Sequence, residues 1–439
     1  MLDEDIVLIK RESDTIQPLG TQTEGTDELE SVQDGGTKAW ISMVGVWIVL
    51  FVTFGQLKST FSYTYSFGVY QDFYTRIFLS HHSTSKIAWI GSFQLMMPFV
   101  FGVVSGKLFD AGYFHVLEIT GSALFTFSLF MLSLVKPQTY AHVFLCQGLG
   151  VGLGLGLTFV PAVSLTVHHF RRRMVLVTGI VMSGSSIGAV MFPIMLNLQI
   201  KSVGFPKAVR NSAYIVCGLL VLGNCLMRTA YKKSADKVPQ LNILGFFKDL
   251  PYILASIGAM GTMFGFYFPL IYLQLYAVTH GINLTLSFYS LAILNGASTL
   301  GRLVGNYLAH VHGPFNVIIP CTLLIGASIF SIFGIHDSKS LVIVSIFYGI
   351  MSGAWLSLAV TCLASLSRHP NEVGARTGLG LAIVSFGTLG SAPVQGALLG
   401  PEFDWKKPII FSATLTTVTS IVFLVTRYIL VRERGTEKV

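Results

Sequence analysis

Charge is what this chain has least of. Asp, Glu, Lys and Arg make up 11% of its 439 residues, against about 25% in an average soluble domain. So little charge excludes a water-exposed globular surface, whatever domain count the length would suggest. Cysteine is scarce and scattered: Cys146, Cys217, Cys225, Cys321 and Cys362 each sit inside an apolar run, with no CxxC pair and no Cys/His cluster. They read as small core residues, so no disulfide, metal centre or other cofactor is expected. No GxxxxGK[ST] loop is present, which argues against an ATP-driven pump. Residues 1–37 hold ten of the 21 acidic residues and no apolar segment of signal-peptide length. They read as a disordered cytosolic tail, not a secretory signal.

What the chain has in abundance is apolar sequence, 52% of its residues. It comes in runs near the roughly 20 residues that cross a bilayer's hydrocarbon core. Candidate spans fall near 40–62, 86–106, 114–135, 140–165, 174–197 and 211–229, then 250–273, 285–309, 315–335, 340–366, 376–399 and 408–430. Each must be helical in lipid, where a segment has to satisfy its own backbone groups. The polar run Lys232–Lys237 divides them into two groups of six. The expected layout is a tail 1–37, a bundle 38–229, a cytosolic linker 230–249, a bundle 250–430 and a cytosolic tail 431–439.

With the N-terminus inside, the cytosolic segments collect 15 basic residues and the external loops nine, among them Lys207 and Arg210. That is the direction of the positive-inside rule, so both termini are expected in the cytosol and the net charge of +8 needs no nucleic acid. Thr178-Gly179 in the fifth span and Thr377-Gly378 in the eleventh lie 199 residues apart, a weak internal repeat. Such repeats suit transporters that rock two bundles about a central site.

Few residues can carry chemistry. Arg302 falls deep in the eighth span, and an arginine there is a functional candidate because its burial is expensive. Lys58 lies near the end of the first span, where a lysine snorkelling at a helix end is the plainer reading. Gln147, Asn197, Tyr267, Asn295, Trp355 and Gln395 are polar or amphipathic groups within spans, each as well explained by packing. Glu118, near the start of the third span, is expected to be solvated. Between the second and third spans, Gly106-Lys107-Leu108-Phe109-Asp110-Ala111-Gly112 places an acid and a base at a tight cytosolic turn that can clamp an inner gate. Arg171, Arg172 and Arg173 lie on the same side. Gly148 to Gly156, on alternate residues, and the Gly184/Gly188 pair read as close-packing faces. Asn283-Leu284-Thr285 is a glycosylation sequon in an expected external loop.

The Gly106–Gly112 loop resembles a shortened form of the signature between the second and third helices of the major facilitator superfamily. Asp34-Gly35-Gly36 followed by Trp40 resembles the entry to the first helix of its monocarboxylate-transporter-like family. His169-Phe170-Arg171-Arg172-Arg173, continuing to Thr178-Gly179 and Ser183–Gly188, resembles that family's second signature. Ser66–Tyr74 and Gly112-Tyr113-Phe114-His115 resemble its fungal branch. The resemblance covers nearly all of the chain after residue 33. It implies an all-α membrane protein of twelve transmembrane helices in two six-helix bundles, the major facilitator fold.

The same resemblance implies that Arg302 contacts a substrate carboxylate, and that either Lys58 or Tyr65 occupies the place of a carboxylate-pairing lysine. Proton-coupled members carry an Asp four residues before the arginine, where this chain has Ser298. A hydroxyl does not exchange a proton near neutral pH, so proton coupling stays open. The expectation is a secondary transporter in the plasma membrane, not an enzyme. It would move a small organic solute, either a monocarboxylate or another organic anion. Export of a fungal secondary metabolite and riboflavin-type transport are the alternatives. A polytopic enzyme lacks its Asp/Glu/His cluster, and a transporter-like sensor lacks a long tail. The candidate binding residues are Arg302, Lys58, Ser298, Asn295, Tyr267 and Trp355; those of the gate are Lys107, Asp110, Arg171, Arg172 and Arg173.

Overall fold

The computed structural model describes residues 35–58, 74, 78–82, 84–229, 243–367, 372–400 and 402–439. The expectations for residues 1–34, Tyr65, Ser66–Phe73 and Lys232–Lys237 lie outside them, as do those for the side chains of Lys58 and Asn197. Twelve long helices occur among the described residues. They are α1 Thr37–Lys58, α2 Thr84–Val100 with its continuation Gly102–Asp110, and α3 Phe114–Leu132. Then come α4 (Tyr140–Val143, Phe144–Val151 and Gly152–His169), α5 Met174–Val203 and α6 Phe205–Leu226. The second group is α7 Leu250–Thr279, α8 Leu284–His312, α9 Pro314–Phe330, α10 Ser338–Ser365, α11 Val373–Leu399 and α12 Lys406–Arg434.

Ten of these helices are long and apolar enough to cross a membrane, and α1 has a shorter apolar stretch, Thr37–Thr53. The 29-residue α8 is long enough but is diluted by Asn295, Ser298, Arg302 and Asn306. The least apolar helix thus bears the deepest charge. Large apolar residues such as Val116, Ile119, Leu198, Ile343 and Phe386 stand exposed on helix flanks. Water would penalise such a surface, whereas hydrocarbon accepts it.

The helices alternate in direction, as loop contacts at the two ends show. On one face Trp40, at the start of α1, meets Phe170 after α4, and Arg434 of α12 donates to Ser365 O of α10. On the other, His82 before α2 meets Tyr140 of α4, and Tyr276 of α7 meets Trp405 before α12. The first is called the termini face below. Within each group the helices pack on one another; between groups the main contacts are α2 against α11 and α5 against α8.

Side-chain hydrogen bonds gather beside the proline of α7. Pro269 removes a backbone donor inside α7. Nearby, Gln395 Nε2 and Ser391 Oγ donate to Phe264 O at 2.5 and 2.9 Å, and the Tyr348 hydroxyl donates to Phe266 O. The glycines of α4 serve packing within the first group: Gly152 and Gly156 face α2, and Gly150 and Gly154 face α3.

Two expectations need correction. The sixth helix begins at Phe205, not 211, because Gly204 at φ 80° turns the chain and the Phe205 ring packs on Tyr74 and Phe78. Lys207 and Arg210 therefore sit on its first turns, not in a loop. Glu118 is not solvated: it is 0% exposed, and neither carboxylate oxygen has a partner among the described residues. Phe114, Leu117, Gly121, Ser122 and Phe125 share its buried side, at the i, i+3, i+4 spacing of one helix face.

Candidate functional site

A cavity of about 50 Å³ lies between the two groups of helices. Its walls come from α2 and α4 (Phe99, Phe159), α5 (Met182, Ser185), α7 (Met263, Phe266, Tyr267), α8 (Asn295, Ser298), α10 and α11. Of the expected binding residues, the structure brings Tyr267, Asn295 and Ser298 together here. Trp355 is not among the lining residues. It is fully buried, its ring packs on Phe266, and Nε1 donates to Thr322 Oγ1 at 2.9 Å. Lys58 is the last residue of α1, and its side chain lies outside the described residues.

Arg302 sits one helical turn from Ser298, on the termini side of the cavity, and is not a lining residue. Its Nη1 donates to Met182 O at 2.6 Å and to Ser185 Oγ at 2.7 Å, tying α8 to α5. The side chain is 0% exposed, and Nε and Nη2 have no partner among the described residues. Above it Ser186 and Ser298 share a hydrogen bond at 2.8 Å, which makes a second tie between the same helices. Below it Gly179 admits Asn306: a Cβ at Gly179 would lie 2.5 Å from Asn306 Cβ and 2.7 Å from Arg302 O.

A second seam joins α2 to α11. Gly102 faces Gly378 and Gly106 faces Gly374, each so close that a Cβ would strike the opposite backbone. At its end the Asp110 carboxylate accepts the N–H groups of Gly374 at 3.0 Å and Ala375 at 2.7 Å. An acid there meets two of the four unpaired donors of a helix start and the positive end of its dipole. Of the expected gate residues, Asp110 is therefore in place. Lys107 is exposed on the last turn of α2, and Arg171, Arg172 and Arg173 are exposed at the turn before α5.

The two seams share one repeat. Gly102 and Gly106 of α2 precede Gly301 and Gly305 of α8 by 199 residues, the offset that relates Thr178-Gly179 to Thr377-Gly378. The match is imperfect. Gly301 and Gly305 pack on Ile350 and Ala354 of α10, and α8 meets α5 through the next residue in each case, Arg302 and Asn306. One position on a helix is a rotation of about 100°. Asp110 corresponds to Ala309, so α5 receives no equivalent carboxylate.

Sequence reasoning missed the anchor of α11. Arg376 is 4% exposed and pairs with Asp249 at 2.7 Å and Glu372 at 3.0 Å. It also donates to Leu366 O and lies over the Phe246 ring. Its position in an apolar run was the available signal, but it was counted with the loop bases. Asn283 is exposed at the start of α8, where its Oδ1 accepts the Leu286 N–H at 3.1 Å.

Comparison with known proteins agrees with this architecture. The crystal structure of the fucose:proton symporter FucP of E. coli superposes with a TM-score of 0.65 at 14% identity, covering 88% of this chain and 98% of that one. The human organic anion transporter MFSD10 gives 0.67 at 12% identity, covering 90% and 100%. At such identities the likeness concerns the fold. Sequence relatives are nearer. The MFS-type transporter dbaD of Emericella nidulans is 33% identical over 89% of this chain and 86% of its own length. The aspyridones efflux protein apdF of the same organism is 34% identical over 88% and 77%. The fujikurins efflux protein of Gibberella fujikuroi is 32% identical over 92% and 86%. The family model described as Major Facilitator Superfamily matches residues 39–368, and with relatives of this identity and coverage the chain belongs to that superfamily.

Proposed function

We propose that this protein is a secondary transporter that exports a small organic metabolite from the cell by alternating access. One observation carries the reading: a cavity between two six-helix groups, with both seams joining those groups on its termini side. Cross-group hydrogen bonds among the described residues run from mid-depth at Ser186 and Ser298 to Asp110. In this state the termini face is shut. Release of both seams would open the cavity to that side, as a rocking motion of two bundles requires. The efflux names of apdF and the fujikurins protein favour export. The groups correspond to residues 38–229 and 250–430, with the termini face in the cytosol of a plasma-membrane protein. Asn283 is then external and open to glycosylation.

Uptake of an organic anion in the monocarboxylate manner is the second reading, favoured by the unpartnered Nε and Nη2 of Arg302. Vesicle flux tests the transport that both readings share. Purified protein in vesicles, loaded with fungal metabolites and given a pH gradient with and without a protonophore, should show solute flux above that of empty vesicles. Absence of flux for every solute under every gradient would refute the transporter reading.

A further inference from the structure

The cavity wall has a polar character that neither composition nor family membership specifies. None of its eighteen lining residues is Arg, Lys, His, Asp or Glu. The five with polar side-chain groups are Ser185, Tyr267, Asn295, Ser298 and Ser352. Each serine hydroxyl proton is already committed: Ser185 donates to Met182 O, Ser298 to Asn295 O and Ser352 to Gly349 O, at 2.9, 2.9 and 3.1 Å. Tyr267 shares the wall with them. Asn295 spends an amide proton on Leu291 O at 3.0 Å, which fixes the orientation of the amide. Among the described residues its Oδ1 accepts nothing, although the side chain is 4% exposed and lies on the wall.

What the serines and Asn295 leave to a ligand is mostly acceptor: the Asn295 oxygen and the spare lone pairs of the serine hydroxyls, with the second Asn295 amide N–H beside them and the thioethers of Met182 and Met263 nearby. Phe99, Phe159 and Phe266 supply aromatic surface around them. A carboxylate brought here would lose its water and meet mostly lone pairs and no charged partner on the wall, and an unpaired charge is the costliest group to bury. Arg302 does not relieve this, since its two bonds turn it into α5 behind Ser185. A neutral ring system with a phenol, hydroxyl or amide N–H loses little by comparison and gains the Asn295 acceptor.

Building on the transporter reading, we propose that the cavity takes an uncharged, largely aromatic solute through a hydrogen-bond donor that Asn295 Oδ1 accepts, and that it rejects carboxylates. Acidic metabolites then cross only as their protonated or esterified forms. The test uses the purified full chain in neutral-lipid vesicles with three probes of one ring system: 1-naphthol, 1-methoxynaphthalene and 1-naphthoate. Binding and flux are measured at pH 7.5 against protein-free vesicles, which removes partition into lipid. The expected order is naphthol first, methoxynaphthalene about five- to tenfold weaker for the lost hydrogen bond, and naphthoate weaker still. Asn295→Leu should bring naphthol down to methoxynaphthalene, and Asn295→Ser, which restores an acceptor, should recover part of the gap. Naphthoate equal to or tighter than naphthol overturns the proposal, as does failure of all three to bind. Flux that favours naphthoate would overturn it while leaving the transporter reading intact.

Discussion

The Asp110 carboxylate accepts the Ala375 backbone N–H at 2.7 Å across 265 positions of sequence. A side chain from the end of α2 thus caps α11 in the other bundle. Its repeat mate is Ala309, so nothing equivalent caps α5. The lock on the termini face is one-sided.

Asp110→Ala should therefore loosen the closed state without unfolding either bundle. Loss of a helix cap costs about 1 kcal/mol, or roughly a fivefold change in the closed-to-open ratio. Spin labels at the exposed Arg172 and Lys248 report the separation of the bundles at this face. The variant should add a longer-distance population, and Asp110→Asn, which keeps one acceptor oxygen, should add less. Identical distance distributions in all three proteins would show that the cap does not hold the gate.

The α2–α11 seam makes its own prediction. A methyl group at Gly378 would strike Gly102 O, a backbone atom that cannot rotate aside. Gly378→Ala should destabilise the closed state by about 1–3 kcal/mol, the usual cost of overpacking. Gly218→Ala is the control, because nothing lies within 4 Å of a Cβ there. The same label pair should respond to the first variant and ignore the second.

The fold was legible because lipid allows few solutions. Runs such as 250–273 and 340–366 announced helices; α7 contains the first whole and α10 all but the last residue of the second. Glu118 and the start of α6 were misplaced for a common reason: hydropathy marks apolar runs, not which flank of a helix faces inward or where a glycine turns the chain. In the site, Asp110, Asn295 and Ser298 could be singled out as polar residues in or beside spans. The direction of the Arg302 side chain could not, because sequence position gives depth but not the neighbour across the bundle interface. The Gly102/Gly106 and Gly374/Gly378 pairs carry the same i, i+4 spacing as the glycines of α4. Only the packing separates a seam between bundles from contacts inside one.

At Asn283 a structural role and a proposed one fall on one side chain, and different variants separate them. Its Oδ1 caps α8, and its amide nitrogen would be the glycan acceptor if the sequon is used. Thr285→Ala abolishes the sequon but keeps the cap, so it should remove any glycosidase-sensitive mobility shift without changing thermal stability. Asn283→Gln should remove the shift and also cost about 1 kcal/mol through the lost cap. No shift in the unaltered protein expressed in fungal cells would place this loop on the cytosolic side or leave the sequon unused. Labelling of a cysteine at Asn283 with a membrane-impermeant maleimide distinguishes those outcomes.

Arg302→Met separates a gate tie from a folding residue. The change removes two charged hydrogen bonds, each worth about 1.5–3 kcal/mol. It also removes a buried charge that faces no carboxylate among the described residues, and that relief is of similar size. These terms oppose each other in folding, so the unfolding temperature in detergent should stay within a few degrees. They do not cancel between conformations. When the termini face opens, the guanidinium gains water while Met182 O and Ser185 lose their donor, so in the native chain the bonds act only in the closed state. The variant should hence shift the Arg172–Lys248 labels toward the open distance and slow flux of every solute alike. Arg302→Lys, with one ammonium in place of a planar fork, should recover only part of the closed population. Selective loss of anion flux with unchanged label distances would instead assign Arg302 to the substrate.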